Sequence, residues 1–461
     1  MITYTPIPIQ CLDDYNLIYE KIPEQFRKNP YIKQWIEALG YKIGLKCTWV
    51  LLEYPYYDSE YLSSYYQYYI KKFNVFGKES CRLHFIRDNR YGGYITFSPT
   101  IHYSNISKSY LSPELLLENT AFLMLSEFTA NILGSDKAIN AFPWMNQQRD
   151  FSTCGHVAAW SIMKFYGNEH TGYRDVNIGE IVESVPEYDS RKLPSQGLTF
   201  QQMTEIFRVH GTSPLIVKRE EGQEEIFYQE LLCYIESGIP VIAAIDKKSH
   251  AVAVIGHGKP DYSILDTQHG LIDSSNCISS IIVNDDNFFP YYEIGRELKQ
   301  GYSSYCLNDI DFIMVPLYNR VHQEYSVLYQ KVVDYLETGN LVITEDYVIR
   351  MYLASAVSLK KKALQDDAMD LCLKDIILRL EMPKLVWCVE ISDKNEYRER
   401  KVSAKMIIDS TASSGAPAPW LLVHDCEKIR YYNDGKWYET FRKIDAYSMY
   451  QHNLKEVVPW K

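Results

Sequence analysis

The residue types that could do chemistry stand in order along the middle of the chain: Gln148, Cys154, His250 and Asp285. A cysteine nucleophile needs its thiolate populated near neutral pH, and the first turn of a helix favours the anion because unsatisfied N–H groups and the macrodipole lie there. Cys154 follows Ser152-Thr153, either of which can cap, and opens the amphipathic segment CGHVAAWSIMKFYG. Gln148, six residues upstream (154 − 148), could join the Cys154 backbone N–H in holding the oxyanion of a tetrahedral intermediate, with the adjacent Gln147 as competitor. A general base is offered by His250, at the head of HAVAVIG, where a strand would fix the imidazole on one face of a rigid element. The base needs an acceptor for its other ring nitrogen. Asp285, in IIVNDD, is the choice for that role; Asn284, Asp286 and Asp266 (the last closing YSILD) are alternatives, because 259–280 could insert an extra strand.

The elements that must position these groups follow from periodicity. CGHVAAWSIMKFYG ends in Gly167, GLTFQQMTEIFRVHG in Gly211 and EEIFYQELLCYIESG in Gly238, three amphipathic segments each closed by a C′ glycine, which predicts three helices. IPVIAAI, HAVAVIGHG, YSILD and SSIIVND then predict successive strands of one sheet. Helices first and sheet second is an α+β layout. Texture divides the chain into an N-terminal Tyr-rich α+β module (1–140), a middle domain (141–318) and a C-terminal α+β module (319–461). In the first, Ser112-Pro113-Glu114 is a helix start, yet the FTANIL that follows is β-branched enough for a strand. In the last, EYSVLYQKVVDYLETG and DAMDLCLKDIILRLEM predict helices, and Asn433-Asp434-Gly435 between aromatic runs predicts a hairpin turn.

Composition removes several function classes. With 46% hydrophobic and 23% charged residues the chain is expected to fold throughout, and no repeat points to a solenoid or propeller. The 48 basic residues against 59 acidic ones leave a net charge of −11, without the cationic excess that generic nucleic-acid binding uses. No signal peptide or membrane-spanning run is present, and the ten cysteines are scattered singly, so a cytoplasmic protein with reduced thiols is expected. Cys81 with His84, and His424-Asp425-Cys426, lack a second ligand pair, so no metal site is expected. His257 and His269 are expected in solvated turns, Lys360-Lys361-Lys362 on a solvated helix face, and the 39 tyrosines as half-buried packing material rather than a stacking surface for bases or sugars. His156 could line the cleft or cover the sheet.

At the chemistry-bearing strings the sequence resembles papain-like cysteine peptidases, above all the bacterial branch that includes the leader-cutting domains of bacteriocin exporters. In that branch a Gln, several residues, D-C-G and a helix ending in Y-Y-G follow one another, and QQRDFSTCGHVAAWSIMKFYG is similar. SHAVAVIGHG resembles its H-x-V-V-V-x-G string, IIVNDD its acid-bearing strand and SGIPVIAAI its G-x-P-V strand. The resemblance covers about 141–318. By matching position it implies Cys154 as nucleophile, His250 as base, Asp285 as orienting acid and Gln148 as oxyanion donor, in a thiol hydrolase that cuts a peptide or isopeptide bond of a protein or peptide substrate without a cofactor. Two other readings share the fold: an acyltransferase (transglutaminase-like) in which an amine intercepts the thioester, and a catalytically inactive binding or scaffold protein. His156 stands where these domains carry Pro or a small residue, neither flank resembles the rest of an exporter, and no G-x-x-x-x-G-K-[ST] loop occurs, so the exporter's role is not implied.

Overall fold

The computed structural model describes residues 2–99, 106–187, 192–298, 304–413 and 420–460, and helices and strands are mixed along the whole of it. The N-terminal part is built on a five-stranded antiparallel sheet in sequence order, from Thr3–Pro8 to Ile106–Leu111. Against it lies the helix Pro30–Ile43, which buries Ile32, Ile36, Leu39 and Ile43 on one face and is started by Asn29, whose Oδ1 accepts from the Tyr31 amide at 2.9 Å. Much of the Tyr-rich stretch is core: Tyr61 and Tyr69 are buried with ring centroids 6.2 Å apart, and Phe76 lies 5.1 Å from Tyr69. The helix start at Ser112 yields only Pro113–Leu116. Strands Ala121–Leu123 and Ser126–Ile132 follow, the second burying every other residue as a half-buried strand must.

The middle sheet runs Tyr292–Gly295, Ser280–Asn284, His250–Gly258, Val241–Ile245, Phe312–Tyr318, Thr212–Lys218, with antiparallel neighbours throughout. The helix Cys154–Glu169 packs along the His250 strand and buries every residue from Gly155 to Tyr166. It runs two residues past its expected end at Gly167. That glycine is there for close approach, since a Cβ would sit 2.6 Å from the Arg174 carbonyl oxygen. Gly211 and Gly238 do close helices, with φ of +89° and +72°.

Two expectations need correction. YSILD is a 3₁₀ turn (Tyr262–Asp266) and not a strand, so Ser280–Asn284 pairs directly with the His250 strand, Ala253 opposite Asn284. His257 is not in a solvated turn: it lies inside the His250 strand, 2% exposed, stacked on Phe122 and held by Glu236 Oε1 at 2.9 Å. Backbone pairing also links strands on either side of residues 140 and 318. Ala121–Leu123 pairs both with the His250 strand and with Lys455–Val457, while Leu271–Asp273 pairs in parallel with Tyr347–Ser355 in the C-terminal sheet. Gly256 permits the first of these contacts, because a Cβ there would lie 2.1 Å from the Phe122 carbonyl oxygen.

The seven-stranded C-terminal sheet ends in the expected hairpin, whose two central residues Asp434 and Gly435 both have positive φ (49° and 76°), as the twist of paired strands requires. A buried ionic network joins this sheet to the middle one. Arg350 Nη2 contacts Glu236 Oε2 at 2.5 Å and Nη1 contacts Glu390 Oε2 at 3.0 Å, and Lys405 also reaches Glu390. No helix among the described residues is long and apolar enough to cross a membrane.

Candidate active site

Cys154 is the first residue of its helix, with Thr153 at the N-cap. His156 belongs to this cap: its Nδ1 accepts from the Thr153 amide at 3.2 Å and is 3.0 Å from Thr153 Oγ1. It is 2% exposed, and burial depresses its pKa to about 4, so it stays neutral and holds the turn. His156 therefore shapes the backbone that presents Cys154.

His250 begins its strand directly after Ser249, a non-glycine residue at φ +48° that turns the chain sharply out of the preceding 3₁₀ turn. His250 Nε2 is 3.0 Å from Asp285 Oδ1, and Asn287 Nδ2 lies 3.4 Å from the same nitrogen, which leaves Nδ1 for the Cys154 thiol that lines the same cleft. Burial opposes a charged imidazole. The hydrogen bonds to Asp285 and Cys154 and the charges of Asp285 and Asp286 outweigh it and raise the His250 pKa to about 10. Burial likewise opposes the Asp285 carboxylate, but His250, the Asn287 amide (2.8 Å) and the Tyr305 hydroxyl (2.7 Å) hold it below its ordinary value. Asp285 is fully buried and every donor around it favours its anion.

The alternatives to Asp285 take other places. Asn284 donates through Nδ2 to the Pro143 carbonyl and accepts from the Tyr291 amide, Asp266 pairs with Arg398, and Asp286 Oδ1 stands 3.9 Å from His250 Nε2. Burial pushes Asp286 up to about 7, against the pull of His250. The segment ahead of Cys154 is stitched to this turn: Trp144 Nε1 donates to the Asp285 carbonyl at 3.0 Å, Asn146 to the Asp286 carbonyl, and Gln147 Nε2 to Asn287 Oδ1 at 3.4 Å. Gln148 is 4% exposed and its Oε1 has no hydrogen-bond partner among the described residues, whereas Gln147 lines the cleft beside Cys154. Tyr305, Asn287 and Trp144 went unnoticed in the sequence, since each lies on a loop without motif or periodicity.

The cleft has a volume of about 480 Å³, within the range of small-ligand and peptide subsites, and is walled by Cys154, His250, Gln196, Lys248, Phe288 and Tyr305 among others. His250, Asp285 and Asp286 also offer ligand atoms within 4.8 Å of one another. Asp285 is poorly disposed to bind a cation, because Oδ1 accepts from His250 and the Asn287 amide, and Oδ2 from Tyr305. Cys81 and His84 are buried in one strand, with His84 between Glu53 and Tyr91, and His424 is buried against Tyr447. A thiol at a helix N-terminus, an imidazole between it and a buried carboxylate, and nearby amides form an arrangement able to generate and use a thiolate. Neither a family model nor a curated protein matches the sequence.

Proposed function

We propose that the protein is a thiol hydrolase of papain-like type that cleaves a peptide or isopeptide bond in a protein or peptide substrate. The observation that carries this reading is the alignment of Cys154, His250 and Asp285, with Asp285 buried and saturated by donors. The Cys154 thiolate attacks the carbonyl carbon, and the oxyanion is held by the Cys154 backbone N–H and the side-chain amide of Gln148, with Gln147 as competitor. The C–N bond breaks as the His250 imidazolium gives its proton to the leaving amine. Water, deprotonated by His250, then attacks the thioester, and the carboxylic acid leaves with the thiol restored. Asp285 keeps the imidazole oriented and stabilises its charged form. If an amine replaces water in the second step, the same site performs acyl transfer.

The test is mechanism-based labelling of the full chain with a peptidyl electrophile (an acyloxymethyl ketone or vinyl sulfone series), read by intact mass and peptide mapping. Stoichiometric addition at Cys154 that is lost in His250→Ala, with unchanged circular dichroism, is the expected result. Labelling no faster than at the exposed Cys11, or unaffected by His250→Ala, overturns the reading in favour of a binding protein.

A further inference from the structure

At the other end of the Cys154 helix a second cavity opens between the middle sheet and the C-terminal module. It has a volume of about 520 Å³ and shares no lining residue with the catalytic cleft. A helix of 16 residues separates Cys154 from Glu169 at this rim, roughly 24 Å at about 1.5 Å per residue. The floor is aromatic, formed by Phe165, Tyr173 and Tyr318, with Tyr318 Oη hydrogen-bonded to His170 Nε2 at 2.8 Å.

The charge of the rim is unlike that of the chain. A protein of net charge −11 here lines a groove with Arg320, Lys384 and Lys455 and a single carboxylate, Glu169. Among the described residues neither the Arg320 guanidinium nor the Lys384 ammonium has a hydrogen-bond or ion-pair partner. Burial lowers the pKa of both imidazoles of the groove; at His170 the charge of Glu169 opposes this more than Lys384 adds to it, whereas at His452 Lys362 and Lys361 lower it further. On the neighbouring helix Ala356–Gln365, Lys362 is itself paired with Asp366 at 2.5 Å.

We propose that this groove binds a phosphorylated small molecule with a planar ring, a nucleotide by size and chemistry, with Arg320 and Lys384 taking the phosphate and the Tyr173–Tyr318 floor the ring. Unpaired cations at a concave site favour a dianion, bidentate contact suits a guanidinium, and a volume of this size holds a nucleoside monophosphate. Stacking on tyrosine tolerates any base, so the floor selects for a ring more than for its identity. The inference stands apart from the thiol chemistry, as neither site contains a residue of the other.

Isothermal titration of the full chain with the four nucleoside monophosphates, and separately with inorganic phosphate, tests it. Saturable binding of at least one nucleotide is expected, more than about tenfold tighter than phosphate and weakened at least about tenfold in the double variant Arg320→Gln/Lys384→Gln. Both positions are exposed, so thermal unfolding of the variant should match the parent. Absence of saturable nucleotide binding overturns the proposal; so does phosphate binding as tightly as nucleotide, or a double variant with unaltered affinity.

Discussion

Replacing Asp285 by Asn keeps the shape of the side chain and removes its charge, which isolates what the buried carboxylate does for His250. The rise of the His250 pKa from 6.5 to about 10 corresponds to about 5 kcal/mol favouring the imidazolium, at about 1.4 kcal/mol per unit. Of this, a charge-assisted hydrogen bond accounts for about 1.5–3 kcal/mol, so Asp285→Asn should lower the His250 pKa by about 1–2 units. The sign follows from the raised value: the imidazolium persists from acid pH up to about 10 in the parent, and is lost at lower pH in the variant. Iodoacetate, an anion, is drawn to a thiol beside an imidazolium, while neutral iodoacetamide is not. The ratio of the two alkylation rates at Cys154 therefore reports His250 protonation. The midpoint of its fall should move down by about 1–2 units in Asp285→Asn, with circular dichroism unchanged. An unmoved midpoint would refute the reasoning, because the carboxylate would then contribute nothing to holding the proton.

Other outcomes follow from the same geometry. Gln148→Ala should slow Cys154 acylation by about 10²–10³-fold and Gln147→Ala by far less; the reverse order would assign the oxyanion role to Gln147. His156 is neutral in the fold with a pKa of about 4, so the stability it contributes is complete above about 6.5 and is lost as pH falls toward 4. His156→Gln, which keeps an acceptor for the Thr153 amide, should then reduce the acid-dependent loss of unfolding free energy by about 3 kcal/mol at pH 4, measured by urea titration across that range. Glu236→Ala strips a half-buried partner from both Arg350 and His257 and should cost about 3 kcal/mol in urea unfolding at pH 7; a change under about 1 kcal/mol would show that Glu390 alone satisfies Arg350.

Local signals were the readable ones. Helix ends at Gly211 and Gly238, the hairpin at Asp434-Gly435 and the strand headed by His250 all depend on residues close in sequence, where periodicity and φ preference act directly. Asp285 could be picked out next to Asn284 and Asp286 only by position, and what separates the three is tertiary: Asn284 is occupied by Pro143 and Tyr291, and only Asp285 meets Tyr305 and the Asn287 amide. YSILD, a short apolar run, fits a strand or a turn equally well by pattern, and the Asx cap of Asp261 on the Ser263 amide decides for the turn. His257 looked like turn material between glycines. Its burial depends on Phe122 and Glu236, partners 135 and 21 residues away (257 − 122 and 257 − 236), which no local pattern shows.

The strand Lys455–Val457 adds to Ala121–Leu123, which adds in turn to the strand that His250 begins. Residues more than 300 positions apart thus share one ladder, and during synthesis the edge at Ala121–Leu123 stays open until residue 457 has been made. The hydrogen-bonding groups of that edge are a template for foreign strands meanwhile, so the nascent chain has a long interval of exposure to mispairing. The same order of events keeps the sheet carrying His250 incomplete in a growing chain until residue 457 has been made.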